Sequence, residues 1–436
     1  MKIRIGIRRE DKNLWEKRTP IIPAHAGELI NRHSIEVFLQ SSSIRVFKDE
    51  DYAREGAQIK EDLSECPVIF ALKEIPLNVF QNEKTYLFFS HTIKGQKYNM
   101  PMLKKMMELR CSLIEYEKIT DEKGQRLIFF GPQAGQAGMI ETLSALGKKL
   151  DLEGIENPFM TVKQAYEYGS LVEAKEEIRK LGWEIHKQGI DRSLVPFICG
   201  FAGYGRCSQG AQEIYDLLPV EVIKPEELES FVASGNFSSN RVYKVVFKEE
   251  HMVKPVSSSA KFNLKDYYQK PGKYRSVFDR YLPSLIMLFN CIYWTDEYPR
   301  FVSKNSIKDL FQKEASPRLR IIGDISCDIG GSIEFTEKAT TPSDPVFVYD
   351  PMADRIIDGI EGRGVAVMAI DNLPAEIPLE SSVFFSTAIK PYIPEIALAD
   401  YRTSFKNCRL PDPIKKAVVL YKGELTPDYE YMKKFI

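Results

Sequence analysis

Residues 194–218 have the sequence LVPFICGFAGYGRCSQGAQEIYDLL. A short apolar run over Leu194–Cys199 leads into a glycine-rich loop, and helical spacing of apolar residues follows over Ala211–Leu218. Strand, glycine turn and helix in this order are typical of the first β–α unit of a dinucleotide-binding sheet, although the loop is not a strict GxGxxG. Backbone N–H groups of such a loop and the start of its helix can face a pyrophosphate. The stretch therefore predicts cofactor contacts at Gly203, Gly205, Arg206, Cys207 and Gly210.

Further apolar runs predict the rest of a parallel sheet. They lie at Val220–Ile223, Leu285–Trp294, Arg320–Ile325 and Gly364–Ile370. In a dinucleotide fold an acidic residue at the end of the second strand usually binds the ribose 2′-hydroxyl. Here the run Val220–Ile223 is followed by Lys224, which would not repel a 2′-phosphate. The pattern favours NADP(H), while the acids that follow keep NAD(H) open.

The length of the chain predicts two domains, since single cores stop growing near about 250–300 residues and this chain has 436. Apolar runs alternate with helical stretches in the first part too, which predicts an α/β fold. We expect two Rossmann-like domains with a cleft between them. Residues 1–134 and 385–436 would form the substrate domain, to which the C-terminal segment returns. Residues 135–384 would form the dinucleotide domain, with an insertion at about 225–283.

Composition excludes several classes of protein. Lys and Arg number 60 against 61 Asp and Glu, so no overall field favours nucleic acid or an acidic membrane. No stretch approaches the roughly 18 apolar residues of a membrane helix, and no signal pattern follows Met1. The seven cysteines form no CxxC pair, so we expect neither a metal site nor a disulfide framework. These features predict a cytoplasmic protein; they predict no particular oligomeric state.

Several motifs, in the same order along the chain, resemble the saccharopine dehydrogenases that form lysine and their relative alanine dehydrogenase. They include Arg18-Thr19-Pro20, Ala71-Leu72-Lys73-Glu74, Ser90-His91-Thr92-Ile93-Lys94, Glu115-Tyr116-Glu117 and Gly205-Arg206-Cys207. The segment 225–283 and Cys327–Phe335 look more like the reductase half of bifunctional aminoadipic semialdehyde synthases. The resemblance implies that Cys291, Asp324, Asp328, Asn372 and Leu373 also contact the dinucleotide.

Two residues after apolar strands are candidates for proton transfer. Lys73 follows Ala71-Leu72, where loss of water would lower its pKa toward a useful range. His91 follows Leu87-Phe88-Phe89, and histidine exchanges protons most readily near neutral pH. The resemblance agrees with both roles. Cationic candidates for the carboxylates of the substrates are Arg18, Lys94 and Arg126, and an arginine can form two parallel hydrogen bonds with a carboxylate.

The motifs together imply an NAD(P)-dependent oxidoreductase that condenses L-lysine with 2-oxoglutarate and reduces the imine to saccharopine, or runs the reverse reaction. Its partners would be a small amino acid and a 2-oxo acid. Two alternatives share the chemistry: an amino-acid dehydrogenase like alanine dehydrogenase, and an opine-forming enzyme with another amino donor. A third alternative, of another class, is a sensor that binds NADP(H) without turnover.

Overall fold

The computed structural model describes residues 3–314 and 316–436. The alternation of apolar and polar residues over Lys2–Ile7 predicts a first strand, and Lys2 lies outside the described residues. The chain divides into two compact units. Unit 1 comprises Met1–Phe130 and Pro378–Ile436, and unit 2 comprises Gly131–Ile377. These borders lie a few residues before the predicted ones at 134/135 and 384/385. The shift at the first border arises because the helix that begins at Gly131 belongs wholly to unit 2.

The elements have the following bounds. The strands are β1 (Ile3–Ile7), β2 (Ile35–Leu39), β3 (Gln58–Ile59), β4 (Val68–Phe70), β5 (Thr85–Phe88), β6 (Ser112–Glu115), β7 (Phe197–Ala202), β8 (Val220–Val222), β9 (Val242–Phe247), β10 (Val253–Pro255), β11 (Tyr274–Ser276), β12 (Met287–Asn290), β13 (Ile321–Asp324), β14 (Val346–Asp350), β15 (Arg355–Asp358), β16 (Val365–Met368), β17 (Val418–Tyr421) and β18 (Glu424–Leu425). The α-helices are α1 (Pro23–His33), α2 (Asp49–Arg54), α3 (Met100–Glu108), α4 (Gly131–Leu152), α5 (Leu171–Gln188), α6 (Arg206–Tyr215), α7 (Leu228–Ser234), α8 (Glu249–Met252), α9 (Leu264–Gln269), α10 (Lys304–Lys313), α11 (Pro378–Ile389), α12 (Ile393–Leu398) and α13 (Asp412–Lys416).

Unit 1 is built on one sheet with the strand order β18-β17-β6-β5-β4-β1-β2-β3. Strands β1 to β6 pair in parallel, and β17 and β18 pair antiparallel at one side. Every residue of β4 and β5 is buried, as expected for parallel strands that are covered on both faces. The pairing of β17 with β6 confirms the prediction that the C-terminal segment returns to the first domain.

Unit 2 is built on a second sheet with the order β15-β14-β16-β13-β12-β7-β9-β8. The six neighbouring strands β16, β13, β12, β7, β9 and β8 pair in parallel, and β14 and β15 pair antiparallel at the other side. The two parallel-rich sheets confirm the predicted α/β class with Rossmann-like domains.

The predicted insertion at 225–283 is partly wrong. Strand β9 lies inside this range and pairs with β7 over six residues, so it is a central strand of the sheet. Its pattern is interrupted by Lys244, which is buried because its ammonium group binds Asp216 at 2.5 Å. That long-range ion pair hides the charge from solvent, and the sequence does not reveal it. The remainder of the range includes a separate two-stranded sheet, formed by β10 and β11, and α9 between them.

Helices α4 and α6 approach each other through glycines. A Cβ atom on Gly135 would overlap the carbonyl oxygen of Cys207, and one on Gly210 would overlap the carbonyl oxygen of Pro132. Only a residue without a side chain allows backbones to come this close. Gly210 was predicted to bind the cofactor, but the structure makes it a packing residue that fixes α6 against α4.

Candidate active site

The two predicted proton-transfer residues lie at the same edge of the unit 1 sheet. Lys73 follows β4 and His91 follows β5, and these strands are parallel neighbours. The Nδ1 atom of His91 lies 2.7 Å from Oε1 of Glu74, and Oε2 of Glu74 accepts a hydrogen bond of 2.8 Å from Nζ of Lys12. The arrangement holds the imidazole by one nitrogen and leaves Nε2 as the atom that can exchange a proton with a ligand.

The local environment changes the charge preferences of this cluster. Burial, together with the nearby charge of Arg18, lowers the pKa of the Lys73 ammonium group. Burial would raise the pKa of Glu74, but hydrogen bonds from His91 and Lys12 outweigh it and hold that pKa below its usual range. A lysine that loses its proton more easily and a histidine paired with a carboxylate suit acid–base catalysis.

His91 has an unusual backbone conformation, with φ of 49°. The left-handed region is uncommon for a residue with a side chain and costs on the order of 1 kcal/mol. The conformation is held in part by Asn99, whose Nδ2 donates to the carbonyl oxygen of His91 at 3.3 Å. The imidazole also stacks on Phe89, with ring centroids 6.3 Å apart. Such strain at a polar residue is typical of functional sites.

Arg18 was predicted to bind a substrate carboxylate, but its guanidinium is bound by a carboxylate of the protein. Nε and Nη2 donate to the two carboxylate oxygens of Glu16 at 2.7 and 2.6 Å, and the side chain is 1% exposed. The guanidinium carbon also lies 4.5 Å from the ring centroid of Phe130. The edge that would bind a substrate carboxylate is thus occupied by Glu16. The residue acts instead on Lys73, whose pKa its charge lowers.

The other two predicted carboxylate ligands are more accessible. Lys94 is exposed three residues after His91. Arg126 is also exposed and forms an ion pair with Glu117 near the surface. An exposed ion pair is weak and can exchange for a ligand, so both cations stay candidates for the substrate carboxylates.

In unit 2 the glycine loop has the geometry of a phosphate site. Gly203 follows β7 with φ of 91°, and its N–H donates to the carbonyl oxygen of Phe247 at 3.0 Å. Gly205 is the N-cap of α6 and has ordinary extended backbone angles. A Cβ atom on Gly205 would meet nothing within 4 Å, so the space beside the helix start is open. The loop and the amino-terminal end of α6 therefore fit the pyrophosphate of a dinucleotide.

Cys291 lies beside this loop, at the end of β12. Its Sγ is 3.5 Å from Sγ of Cys207, and burial raises its pKa well above the usual range. A thiol in this state packs and does not act as a nucleophile.

Asp324 ends β13 and is fully engaged with its neighbours. Its Oδ1 accepts from Asn290 Nδ2 at 2.8 Å, and its Oδ2 accepts from Thr336 Oγ1 at 2.6 Å. Burial raises its pKa to about 6. Asp324 therefore ties β12 and β13 together, and it would shape the cofactor site through the loops that it anchors.

The last predicted cofactor residues follow β13 and β16. Asp328 is exposed, and Asn372 is partly exposed. Leu373 is buried, and it packs beside Gly138 of α4, so only its backbone could contact a ligand. Among residues 3–314 and 316–436, no three His, Cys, Asp or Glu side chains cluster as metal ligands would. No helix in those ranges is both long and apolar enough to span a membrane.

Lys224 is not where the sequence placed it. It follows β8, the outermost strand, and pairs at 3.1 Å with Glu227 while its side chain is 74% exposed. The strand beside β7 is β9, and the residue after it is Lys248. The ammonium group of Lys248 lies 5.9 Å from the ring centroid of Tyr204 in the glycine loop. Lys248 and the adjacent Glu249 therefore occupy the position that the second strand of a dinucleotide fold supplies.

Glu10 and Glu74 are two further residues of this site, and the sequence patterns assigned a role to neither. Glu10 is buried beyond the end of β1, and Glu74 joins Lys12 to His91. Each carboxylate follows an apolar strand within four residues, and that position is the signal that could have identified both. Strand ends at the carboxyl edge of a parallel sheet converge on the ligand site.

Two protein-family models and several curated relatives match the chain. The model "Alanine dehydrogenase/PNT, N-terminal domain" matches residues 6–137, and "Alanine dehydrogenase/PNT, C-terminal domain" matches residues 296–428. Alpha-aminoadipic semialdehyde synthases from Arabidopsis thaliana and Bos taurus are 37% and 34% identical over 99% of this chain. The chain spans only 41% and 47% of those proteins. A saccharopine dehydrogenase [NAD(+), L-lysine-forming] from Emericella nidulans is 25% identical over 89% of this chain and 90% of its own.

Solved structures show the same fold at low identity. An L-alanine dehydrogenase aligns with a TM-score of 0.62 and 15% identity over 99% of this chain and all of its own. A transhydrogenase from Sinorhizobium meliloti aligns with a TM-score of 0.56 and 13% identity over 98% of this chain and all of its own. The resemblance stated from the motifs is confirmed. With both domain models matched in order, the chain belongs to the alanine dehydrogenase/PNT family.

Proposed function

We propose that this protein catalyses the reductive condensation of L-lysine with 2-oxoglutarate to saccharopine, or the reverse reaction, with a nicotinamide dinucleotide. The observation that carries the proposal is the pairing of a desolvated Lys73 with a Glu74-bound His91 at adjacent strand ends. The glycine loop of unit 2 and the names of the relatives support an oxidoreductase of this kind.

The residues of unit 1 suit the proton transfers of this reaction. The amino group of lysine attacks a ketone only when it is neutral. Lys73 can take that proton when its own amine is neutral, the form that its lowered pKa favours. The carbinolamine that forms must lose its hydroxyl group as water. Protonated His91 can supply that proton from Nε2, since Glu74 holds Nδ1. Lys94 and Arg126 are proposed to bind substrate carboxylates.

When bound, the dinucleotide supplies the hydride that reduces the imine carbon. Gly203, Gly205 and the start of α6 would hold its pyrophosphate. We favour NADP(H) because Lys248, in place of Lys224, stands after the strand beside β7 and can bind a 2′-phosphate. Glu249 follows it and accepts a hydrogen bond of 2.6 Å from the hydroxyl of Tyr268, so its carboxylate is engaged. A cytoplasmic location stays a prediction.

The test follows NADPH absorbance with L-lysine plus 2-oxoglutarate and determines the mass of the product. Oxidation of NADPH with formation of saccharopine is expected, and the Lys73→Met variant serves as the inactive control. Turnover with ammonia and a 2-oxo acid, without lysine, would instead identify an amino-acid dehydrogenase. Formation of another secondary amine would identify an opine-forming enzyme. Tight NADPH binding with no turnover on any pair would favour the sensor.

A further inference from the structure

Two buried carboxylates stand beside the proposed proton-transfer residues, and the mechanism above uses neither. Glu10 follows β1, and Glu115 ends β6. The sheet order β6-β5-β4-β1 places the strands that carry His91 and Lys73 inside, and the strands that carry the carboxylates on either side. Each outer strand thus supplies a carboxylate to the end of its inner neighbour.

Glu10 binds the backbone that carries Lys73. Its Oε1 accepts the N–H of Leu72 at 2.7 Å, and its Oε2 accepts the N–H of Lys73 at 3.0 Å. The residue is 6% exposed. Two hydrogen bonds from consecutive amides to the two oxygens of one carboxylate hold the position and the direction of the chain where the Lys73 side chain begins.

Glu115 does the same beside His91. Its Oε2 accepts the N–H of Ser90 at 2.8 Å and also the Ser90 hydroxyl, and its Oε1 accepts the N–H of Glu117 at 3.1 Å. It is fully buried. Ser90 directly precedes His91, whose left-handed backbone needs outside support. Glu115 thus anchors the strained turn from one side.

A neutral side chain would not replace these carboxylates. The amides bonded by Glu10 lie beyond the end of β4, and a buried amide without an acceptor is costly. A carboxylate has two acceptor oxygens and no donor, whereas a glutamine would turn an NH₂ group toward one of the N–H groups. Burial, with the charge of Glu16 nearby, raises the pKa of Glu10 to about 7, which shows the cost of keeping a carboxylate there.

We infer that Glu10 and Glu115 are positioning residues that clamp the backbone on either side of the site and so place Lys73 and His91 for proton transfer. The inference rests on the proposed function for its catalytic consequence. The clamps themselves rest only on the contacts within unit 1.

The test compares Glu10→Gln and Glu115→Gln with the parent chain. Glu61→Gln, at an exposed ion pair with Arg9, is the control. Hydrogen exchange should become faster in the segment around Leu72 and Lys73 in the first variant, around Ser90 and His91 in the second, and in neither for the control. The rate of acylation of Lys73, followed by mass spectrometry as a function of pH, gives the apparent pKa of its ammonium group. That pKa should move toward the ordinary value for lysine in Glu10→Gln. The kcat should fall about 10–100-fold in each clamp variant, because small misplacements cost up to about 100-fold, while NADPH affinity stays unchanged.

The Glu10→Asp variant distinguishes the effect of side-chain length from the effect of the negative charge. The shorter side chain keeps the carboxylate but cannot reach both amides. The Glu10→Asp variant should therefore resemble Glu10→Gln in hydrogen exchange, Lys73 labelling and kcat. The same three measurements on Glu10→Asp test the inference if Glu10→Gln does not fold. Parent-like exchange and kcat in Glu10→Asp would overturn the clamp. Unchanged exchange and labelling in Glu10→Gln would overturn it as well. Faster exchange and altered labelling with an unchanged kcat would support the clamp but refute the catalytic role of Lys73.

Discussion

Gly205 at the start of α6 and Gly210 within α6 should respond to substitution in opposite ways. Gly205 faces open space at the start of α6, so the Cβ atom of a valine there would meet no neighbour, and its side chain would occupy the approach of a pyrophosphate. Losing one hydrogen bond between a backbone N–H and a charged phosphate costs about 1.5–3 kcal/mol. Gly205→Val should therefore weaken NADPH binding by about 10–100-fold. The melting temperature should change little, because no neighbour is displaced.

Gly210→Ala is the matched comparison. Its Cβ atom would overlap backbone atoms of Pro132, and overpacking of this kind costs about 1–3 kcal/mol. The melting temperature should fall by about 2–12 °C, since each kcal/mol lowers it by about 2–4 °C in a domain of this size. NADPH fluorescence titration and thermal melts of both variants provide the assay. Parent-like NADPH affinity in Gly205→Val, or parent-like stability in Gly210→Ala, would refute the division of roles.

Three further predictions concern the two units separately. Lys73→Met and His91→Gln should each lower kcat by about 10²–10⁴-fold while leaving the NADPH Kd nearly unchanged. A fall in kcat with an equally large rise in the NADPH Kd would point to a folding defect. Lys248→Asp should shift the ratio of kcat/KM values from NADPH toward NADH, since a carboxylate repels a 2′-phosphate, whereas Lys224→Asp should leave the ratio unchanged. A shifted ratio in Lys224→Asp with an unchanged ratio in Lys248→Asp would show that Lys224 selects the cofactor. Burial raises the pKa of Asp324 to about 6, so the folded state binds this proton more tightly than the unfolded state. The contribution of Asp324 to the free energy of unfolding is therefore present below about pH 4 and is lost as the pH rises to about 6. Asp324→Asn should remove up to about 3 kcal/mol of that pH dependence in urea unfolding, and an unchanged dependence would contradict the assignment.

The Arg18 prediction shows why residue type alone did not locate a ligand site. An arginine in a matching motif is equally suited to a substrate carboxylate and to a carboxylate of the protein. Here Glu16 lies two residues away, and both side chains are buried together. That burial depends on the packing of unit 1, including Phe130, which is far away in sequence.

The strand order of unit 2 shows the same limit for the fold. The order of apolar runs along the chain indicated that Val220–Ile223 would lie beside β7. In the sheet, β9 takes that place and β8 lies outside it. Strand length explains part of this result, since β9 pairs with β7 over six residues and β8 has three.

The sequence by itself determined the fold class, the glycine loop and the strand-end placement of Lys73 and His91, because these depend on local periodicity and on residues close together in the chain. Only the tertiary structure decided that Lys248 stands where Lys224 was expected, that Arg18 is bound by Glu16, and that Glu10 and Glu115 hold the backbone of the site. These features arise from strand order and from contacts between segments distant in sequence, and burial decides which charges are paired. A one-dimensional pattern contains the residues that take part, but it does not specify which of them become neighbours.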